Sequence, residues 1–117
     1  MANPNIVNVS NIYGKTAVLA VTTSPVAIVT NSAASNKIFK INALYVSNVD
    51  GANSADITVD LFRGSTPYRI ASTVAVPADA SLDILSKFVY LEEGDSLRLT
   101  ASATGDLEAV CSYEEIS

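Results

Sequence analysis

Short segments of this sequence alternate between apolar and polar residues. In residues 56–62, Ile57, Val59 and Leu61 alternate with polar side chains. A two-residue period places such apolar side chains on one face of a β-strand. Similar segments recur about every ten residues with turn-forming residues between them, as in all-β domains. The predicted strands are residues 16–21, 26–30, 37–48, 56–62, 68–76, 81–85, 88–91, 96–103 and 106–113.

The segment 37–48 carries apolar residues at both alternating positions. A strict two-residue period gives it one apolar face, formed by Phe39, Ile41, Ala43 and Tyr45. Leu44 and Val46 are apolar as well. The pattern therefore predicts either a bulge or burial of both faces of this strand.

One segment, residues 77–88, also fits a helical spacing, because Leu82, Leu85 and Phe88 lie three residues apart. We favour a strand or turn because the segment is short. Its start, Asp-Ala-Ser-Leu-Asp-Ile, also parallels Asp-Ser-Leu-Arg-Leu at residues 95–99. In both places a polar turn leads into alternating apolar residues, which is typical of a strand start.

Together the segments predict an all-β fold, a single-domain antiparallel β-sandwich of the jelly-roll or immunoglobulin-like kind with eight or nine strands. Pro67 and Pro77 fall at strand boundaries, where a proline removes no ladder hydrogen bond. We expect the sandwich to span residues 15–117. Its predicted core includes Phe39, Ile41, Ile57, Val59, Leu61, Leu97, Leu99, Leu107 and Tyr113.

Residues 1–14 are predicted to form an extended N-terminal arm, because their apolar residues follow no clear strand period. Such a segment is either disordered or lies across a neighbouring subunit, and ordering it costs about 1 kcal/mol or more per residue. Burying a few aliphatic side chains against a neighbouring subunit, at about 1.5–3 kcal/mol each, offsets that cost. The residues expected to make this contact are Ile6, Val7, Val9 and Ile12.

The distribution of charge favours a protein that works in an assembly. Only 16% of the residues are charged, against about 25% in ordinary soluble domains. Residues 1–36 carry a single charged side chain, Lys15. An isolated domain normally keeps its surface charged. We therefore expect self-association or a permanent partner that covers part of this surface.

Charge and composition also exclude several classes of partner. The net charge of −5 and the pI near 4.4 argue against nucleic acid, which requires clustered basic residues. The sequence shows no signal peptide and no membrane span, so we expect synthesis in a host cytoplasm and no membrane partner. The single Cys111 lies on an apolar register and is predicted to be a buried thiol.

Residues 94–97 have the sequence Gly-Asp-Ser-Leu, the motif after which a family of esterases and lipases is named. A serine nucleophile needs an adjacent base. In those enzymes the base is a histidine, and this chain has none, although Lys87 is a conceivable substitute. We therefore expect no catalysis by Ser96. The predicted alternative is a polar turn in which Gly94 supplies an unusual backbone conformation, followed by a strand.

Other candidate sites carry weaker signals. Asp50, Asn53 and Asp56 share a loop that offers oxygen ligands for calcium, but their spacing does not match an EF-hand, and Asp and Asn are common in any hairpin loop. A second acidic cluster, Glu92, Glu93 and Asp95, is expected to be a solvated turn. No cofactor or metal is predicted. The candidate recognition residues outside the arm are Arg63, Tyr68 and Arg69.

Residues 37–116 resemble small virion structural proteins of tailed phages, particularly those that infect marine cyanobacteria and related hosts. The resemblance rests on the order of three stretches, INALYVSNVDGANSADITVDLFRG, VAVPADASLDIL and VYLEEGDSLRLTASATGDLEAVCSYEEI. It implies a compact β-sandwich that assembles in many copies on the virion without enzymatic activity. The implied partners are other copies of the chain and virion proteins such as the major capsid protein.

Two roles follow from this resemblance. The first is a head decoration, or cement, protein. The alternative is a neck or tail component, such as a collar or fibre, that binds a host surface or carbohydrate through Arg63, Tyr68 and Arg69.

Overall fold

The computed structural model describes residues 3–117, which form nine strands and no helix. Residues 81–83 make a short strand, so the strand interpretation of that region is confirmed. Within the described residues, no helix is long and apolar enough to cross a membrane. The strands are β1 (Ile12–Ala20), β2 (Val26–Thr30), β3 (Ile38–Asn48), β4 (Ala55–Arg63), β5 (Thr66–Val76), β6 (Ser81–Asp83), β7 (Val89–Leu91), β8 (Ser96–Ala101) and β9 (Leu107–Ile116).

The strands of residues 3–117 form two antiparallel sheets that pack face to face as a sandwich. In the first sheet the order is β1-β9-β3-β6, and β7 pairs with the other half of β3. In the second sheet the order is β2-β8-β4-β5. The predicted all-β, single-domain antiparallel sandwich is therefore confirmed. Its two long edge strands are β1 and β5.

The core lies between the sheets. The predicted core residues Phe39, Ile41, Ile57, Val59, Leu97, Leu99 and Leu107 are all buried. Leu61 and Tyr113 are partly buried and pack against this cluster. Full burial of one such side chain contributes about 1.5–3 kcal/mol, so these positions supply much of the driving force for folding.

A β-bulge in β3 decides which of its side chains enter the core. The register with β9 shifts between Ile41 and Ala43, which inserts Asn42 as an extra residue. Because one inserted residue reverses the alternation that follows it, Leu44 is fully buried and Tyr45 is 46% exposed. The predicted bulge is confirmed. The prediction that Ala43 and Tyr45 share the core face of Phe39 is wrong, since the alternation changes at Asn42.

Strand β1 begins at Ile12, four residues before the strand predicted from the local pattern. Its first residues pair with the end of β9, as in the pair Tyr13 and Glu115. Strand pairing supplies hydrogen bonds to a stretch whose side chains alone show no clear period. The last strand likewise extends to Ile116, beyond its predicted end.

Candidate interaction surfaces and the Arg63–Asp95 pair

In the structure, the Gly-Asp-Ser-Leu motif forms the end of a turn, residues 92–95, and the start of a strand. The backbone N–H of Asp95 donates to the carbonyl of Glu92 at 3.0 Å, and Gly94 has a φ of 86°. A positive φ at the third position of such a turn favours glycine, as in a type II turn. Ser96 follows as the first residue of β8, largely buried and opposite Phe62 of β4. The predicted turn and strand start are confirmed.

Asp95 is held by Arg63 from the neighbouring strand β4. Arg63 donates from Nε to one carboxylate oxygen at 2.7 Å and from Nη2 to the other at 2.6 Å. The same carboxylate accepts the backbone N–H of Glu92 at 2.9 Å and is only 1% exposed. Hydrogen bonding to Asp95 raises the pKa of Arg63. The bidentate pairing neutralises a carboxylate that would otherwise be costly to bury.

A cavity of about 320 Å³ lies beside this pair, lined by Arg63, Gly64 and the 92–95 turn. Arg63 also donates to Glu92 at 2.9 Å, so its guanidinium is shared between two carboxylates. A partner that bound Arg63 would have to compete with both. The geometry therefore gives Arg63 a structural role in holding the 92–95 turn against β4.

Two further buried polar side chains fasten the 92–95 turn to the loop after β2. The amide of Asn31 donates to the carbonyl of Leu91 at 3.0 Å, and the carboxylate of Glu93 accepts the backbone N–H of Asn36 at 2.8 Å. Glu93 and Asp95 are both buried. The prediction of a solvated acidic turn is thus wrong for these two residues, because backbone N–H groups and an arginine replace water around them.

The loop proposed for calcium is ordered by its own hydrogen bonds. One carboxylate oxygen of Asp50 accepts the backbone N–H groups of Ala52 and Asn53 at 2.8 and 3.3 Å. These bonds lower the pKa of Asp50. Asp56 lies outside this cluster, in β4, where its N–H donates to Ser102. Residues 3–117 contain no group of three or more acidic, histidine or cysteine side chains placed to hold a metal ion.

Arg69 is engaged in a second charged cluster, on the outer face of the second sheet. The fully buried carboxylate of Asp60 accepts from Arg69 at 2.7 Å and from Arg98 at 3.0 Å. The Arg98 guanidinium also lies 3.8 Å from the centre of the Phe62 ring. Because two arginines cover one carboxylate, this cluster keeps one positive charge that is partly open to solvent.

The structure does not bring Arg63, Tyr68 and Arg69 together on one face. Tyr68 pairs across the strands with Leu61 and so lies on the core side of its sheet, where it is nonetheless 57% exposed. Arg69 pairs with Asp60 on the outer side. By the same alternation Arg63 falls on the core side, turned toward the 92–95 turn. A recognition site that uses all three residues stays a prediction.

The N-terminal segment that precedes β1 runs over the surface. The side-chain amide of Asn3 donates to the Glu92 carboxylate at 2.6 Å, and the N–H groups of Ser10 and Asn11 both donate to the carbonyl of Ser117. Of the predicted contact residues, Ile6, Val7 and Ile12 are exposed and Val9 is half-buried. Val7 is 84% exposed. These apolar side chains are therefore accessible to a partner.

An apolar row crosses the outer face of the first sheet. Val18, Val110 and Tyr45 lie side by side on β1, β9 and β3, and all three are exposed. Sequence analysis missed this row because Val110 and Tyr45 are far apart in the sequence and the β3 bulge turns Tyr45 outward. The available signal in the sequence was Val18, an apolar residue at the position that alternates with Ala17 and Leu19. Those two residues face the core, so Val18 faces outward.

A charged cluster fixes the start of β1 to β9. Lys15 and Lys37 both contact the carboxylate of Glu115, at 2.7 and 2.5 Å. The hydrogen bond from Lys15 is the main cause of a lowered pKa at Glu115, and the hydrogen bond from Lys37 lowers this pKa further. The Lys15–Glu115 hydrogen bond also raises the pKa of Lys15. The ammonium group of Lys15 is consequently held over β9, away from the free edge of β1.

Comparison with known proteins adds information about the fold. No protein-family model matches the chain, and no curated protein matches it. A chain of the Bacillus endospore appendages, named as disulfide-linked pili, is similar in structure with a TM-score of 0.56 at 12% identity. That similarity covers 100% of this chain and 96% of the other.

A second similar structure is the acid-stable capsid of Helicobacter pylori bacteriophage KHP30. The TM-score is 0.51 at 9% identity, over 94% of this chain and 90% of the other. What the three proteins share is the fold. At these identities the similarity describes the arrangement of strands and carries no residue-level role to this chain.

Proposed function

We propose that this protein is a non-enzymatic structural component of a tailed-phage virion, a head decoration protein that assembles in multiple copies. The observation that carries the proposal is the charge-poor, apolar surface of the N-terminal third of the chain. It has one charged side chain in residues 1–36, and it exposes Val7, Ile12 and Val18 among its described residues. Exposed aliphatic side chains without surrounding charge are typical of a surface that another protein covers.

The fold supports the proposal at the level of architecture. A similar fold occurs in a phage capsid structure and in a pilus protein. Pili and capsids are assemblies built from protein subunits. A sandwich with two long edge strands and an apolar outer row suits a role in which many copies contact one another and their neighbours.

The proposed partners are other copies of this chain and virion proteins such as the major capsid protein, with no nucleic acid and no membrane. The proposed contact surface is the arm of residues 1–14, with Ile6, Val7, Val9 and Ile12 as the apolar contacts. The protein is made in the host cytoplasm and located on the virion in this proposal. The free energy gained by burying these side chains on a neighbouring subunit roughly offsets the conformational entropy lost when the arm is ordered.

The test is binding to phage heads from which the protein has been removed, scored by co-sedimentation. The double variant Ile6→Ser/Val7→Ser should bind at least tenfold more weakly than the wild type. A matched control is Val49→Ser, because Val49 is a similarly exposed aliphatic residue in the loop after β3. Equal binding by the double variant and the wild type would show that the arm makes no contact. Gold labelling of intact virions then distinguishes the head from the neck and tail.

The alternative is a neck or tail component with a host-surface or carbohydrate-binding role. Exposure of the aromatic ring of Tyr68 favours it, since aromatic rings are common sugar platforms. Pairing of Arg63 and Arg69 with carboxylates counts against it. Glycan-array binding that is lost in Tyr68→Ala, together with labelling at the tail, would replace the decoration proposal with this one.

A further inference from the structure

The free edge of β1 differs from the other sheet edges of the described chain. An exposed strand edge offers unpaired N–H and C=O groups to any other strand, and proteins usually shield it with bulges, prolines, charges or short length. β6 and β7 have three residues each. β2 has five residues and a register shift, and β5 has Pro67 and two register shifts. Each of these edges carries at least one such shield.

β1 carries none of these shields along its nine residues. Its register with β9 runs without a shift from Ile12 to Ala20, and no proline interrupts it. Its single charged side chain, Lys15, is tied to Glu115 at 2.7 Å on the side away from the edge. The strand is therefore regular, uncharged at its edge and long enough to pair.

The hydrogen-bond pattern shows which residues face the free edge. Asn11 and Ser117 exchange both backbone hydrogen bonds at 2.9 Å, and the N–H of Val21 donates to Leu107 at 2.9 Å. In an antiparallel pair such bonded positions recur every second residue, so the residues between them point their N–H and C=O groups outward. The outward residues are Ile12, Gly14, Thr16, Val18 and Ala20. β1 is the outermost strand of its sheet, so within residues 3–117 no other strand pairs with these outward groups.

We infer that the β1 edge pairs with the β1 edge of a second copy, antiparallel and centred on Thr16, so that the first sheets of two copies join into one. This inference rests on the proposed function, because it names one contact through which copies assemble. In this register Ile12 faces Ala20 of the partner, Gly14 faces Val18, and Thr16 faces Thr16. Every outward residue then finds a bonded partner, with about ten backbone hydrogen bonds across the edge.

The side chains select the second copy and this register. The two copies present the same uncharged edge, so a two-fold axis satisfies both at once. A register centred on Thr16 pairs all five outward residues, whereas one centred on Lys15 or Ala17 leaves an end residue of β1 without a partner in that strand. A Cβ built on Gly14 would meet nothing within 4 Å, so the side chain of Val18 from the partner has room above it.

The contact is expected to be concentration-dependent. A single strand edge buries less than the roughly 800 Å² per partner of a standard protein interface. Wild-type protein should therefore pass from monomer to dimer as its concentration rises, and it should dimerise more readily where many copies gather on one surface.

Charge substitutions at Thr16 test the inference, because this exposed residue would meet its own symmetry mate. By analytical ultracentrifugation, Thr16→Lys and Thr16→Glu alone should each dimerise at least tenfold more weakly than the wild type. An equimolar mixture of the two should restore the dimer. Thr16→Ser and Thr66→Lys, the second on the β5 edge, should behave as the wild type. A wild-type protein that stays monomeric, or Thr16 variants that dimerise unchanged, would overturn the inference.

Cross-linking provides a second measurement if the charged variants fold poorly. Under mild oxidant, Thr16→Cys should form a covalent dimer, whereas Val18→Cys, which faces Gly14, should not. Cys111 is buried and should give little background. Head binding measured in parallel separates this inference from the proposed function. A protein that dimerises through Thr16 but never binds heads would contradict the function and support the edge contact.

Discussion

The guanidinium of Arg63 on β4 donates two hydrogen bonds, of 2.7 and 2.6 Å, to the buried carboxylate of Asp95. This contact joins the end of β4 to the turn that starts β8. It also gives Asp95 a structural role within the Gly-Asp-Ser-Leu motif, which by itself suggests esterase chemistry. Asp95 orders the backbone of the turn, and Arg63 balances its charge.

Loss of this carboxylate should destabilise the fold. We expect Asp95→Ala to lower the free energy of unfolding by about 2–4 kcal/mol, because it removes the partner of Arg63 and an acceptor for the N–H of Glu92. Urea denaturation followed by circular dichroism measures the change. The control Glu92→Ala, whose side chain is 40% exposed, should cost less than about 1 kcal/mol. Equal losses in the two variants would contradict the structural role of Asp95.

The β3 bulge predicts opposite outcomes for two adjacent residues. Leu44→Ala should cost about 2–5 kcal/mol, because it leaves a cavity in the core. Tyr45→Ala should change stability by less than about 1 kcal/mol, since its ring lies on the outer face. The comparison uses the same urea denaturation. A larger loss for Tyr45→Ala would mean that the alternation continues through Asn42 without a bulge.

Glu115 should contribute to the pH dependence of stability. Lys15 and Lys37 hold its pKa below the ordinary value of 4.5, so the folded state binds the proton less readily than the unfolded state. The contribution is therefore present above about pH 4.5 and is lost as the pH falls through the lowered pKa. Glu115→Gln should be less stable than the wild type at pH 7, and the difference should shrink toward pH 3. A difference that stays constant over this range would show that the ion pairs do not stabilise the fold.

Cys111 should react slowly in the folded protein. Burial raises the pKa of its thiol to about 11, which leaves little thiolate at neutral pH. Labelling with a thiol reagent at pH 8 should be at least tenfold slower in buffer than in denaturing urea. A small thiol peptide under the same conditions serves as the control. Fast labelling of the native protein would indicate that β9 opens readily.

Ser96 should have no catalytic role. Its side chain is largely buried at the start of β8, and the chain contains no histidine to act as a base. Wild type and Ser96→Ala should both leave a chromogenic ester unchanged, and their unfolding midpoints should be similar. Hydrolysis by the wild type that disappears in Ser96→Ala would contradict this expectation and reopen the esterase interpretation.

The sequence by itself determined the strands and most of the core. The alternation at Ile57, Val59 and Leu61 survives in the structure because the pleat of a strand has a fixed two-residue period. Gly94 was identifiable as a turn residue for a similarly local reason, its freedom to adopt a positive φ. Such features depend on a few neighbouring residues, so a local pattern is enough to predict them.

Only the tertiary structure decided how the strands meet. The partnership of β1 with β9 joins residues about a hundred positions apart through backbone hydrogen bonds, which no side-chain pattern encodes. Nothing in the sequence identified Asn42 as the residue inserted at the β3 bulge. The outward orientation of the Tyr45 side chain is therefore known only from the structure. The burial of Asp95 and the open edge at Thr16 depend in the same way on long-range pairing. The alternation of side chains is a property of each strand, whereas register, edges and charged contacts are properties of the assembled sheets.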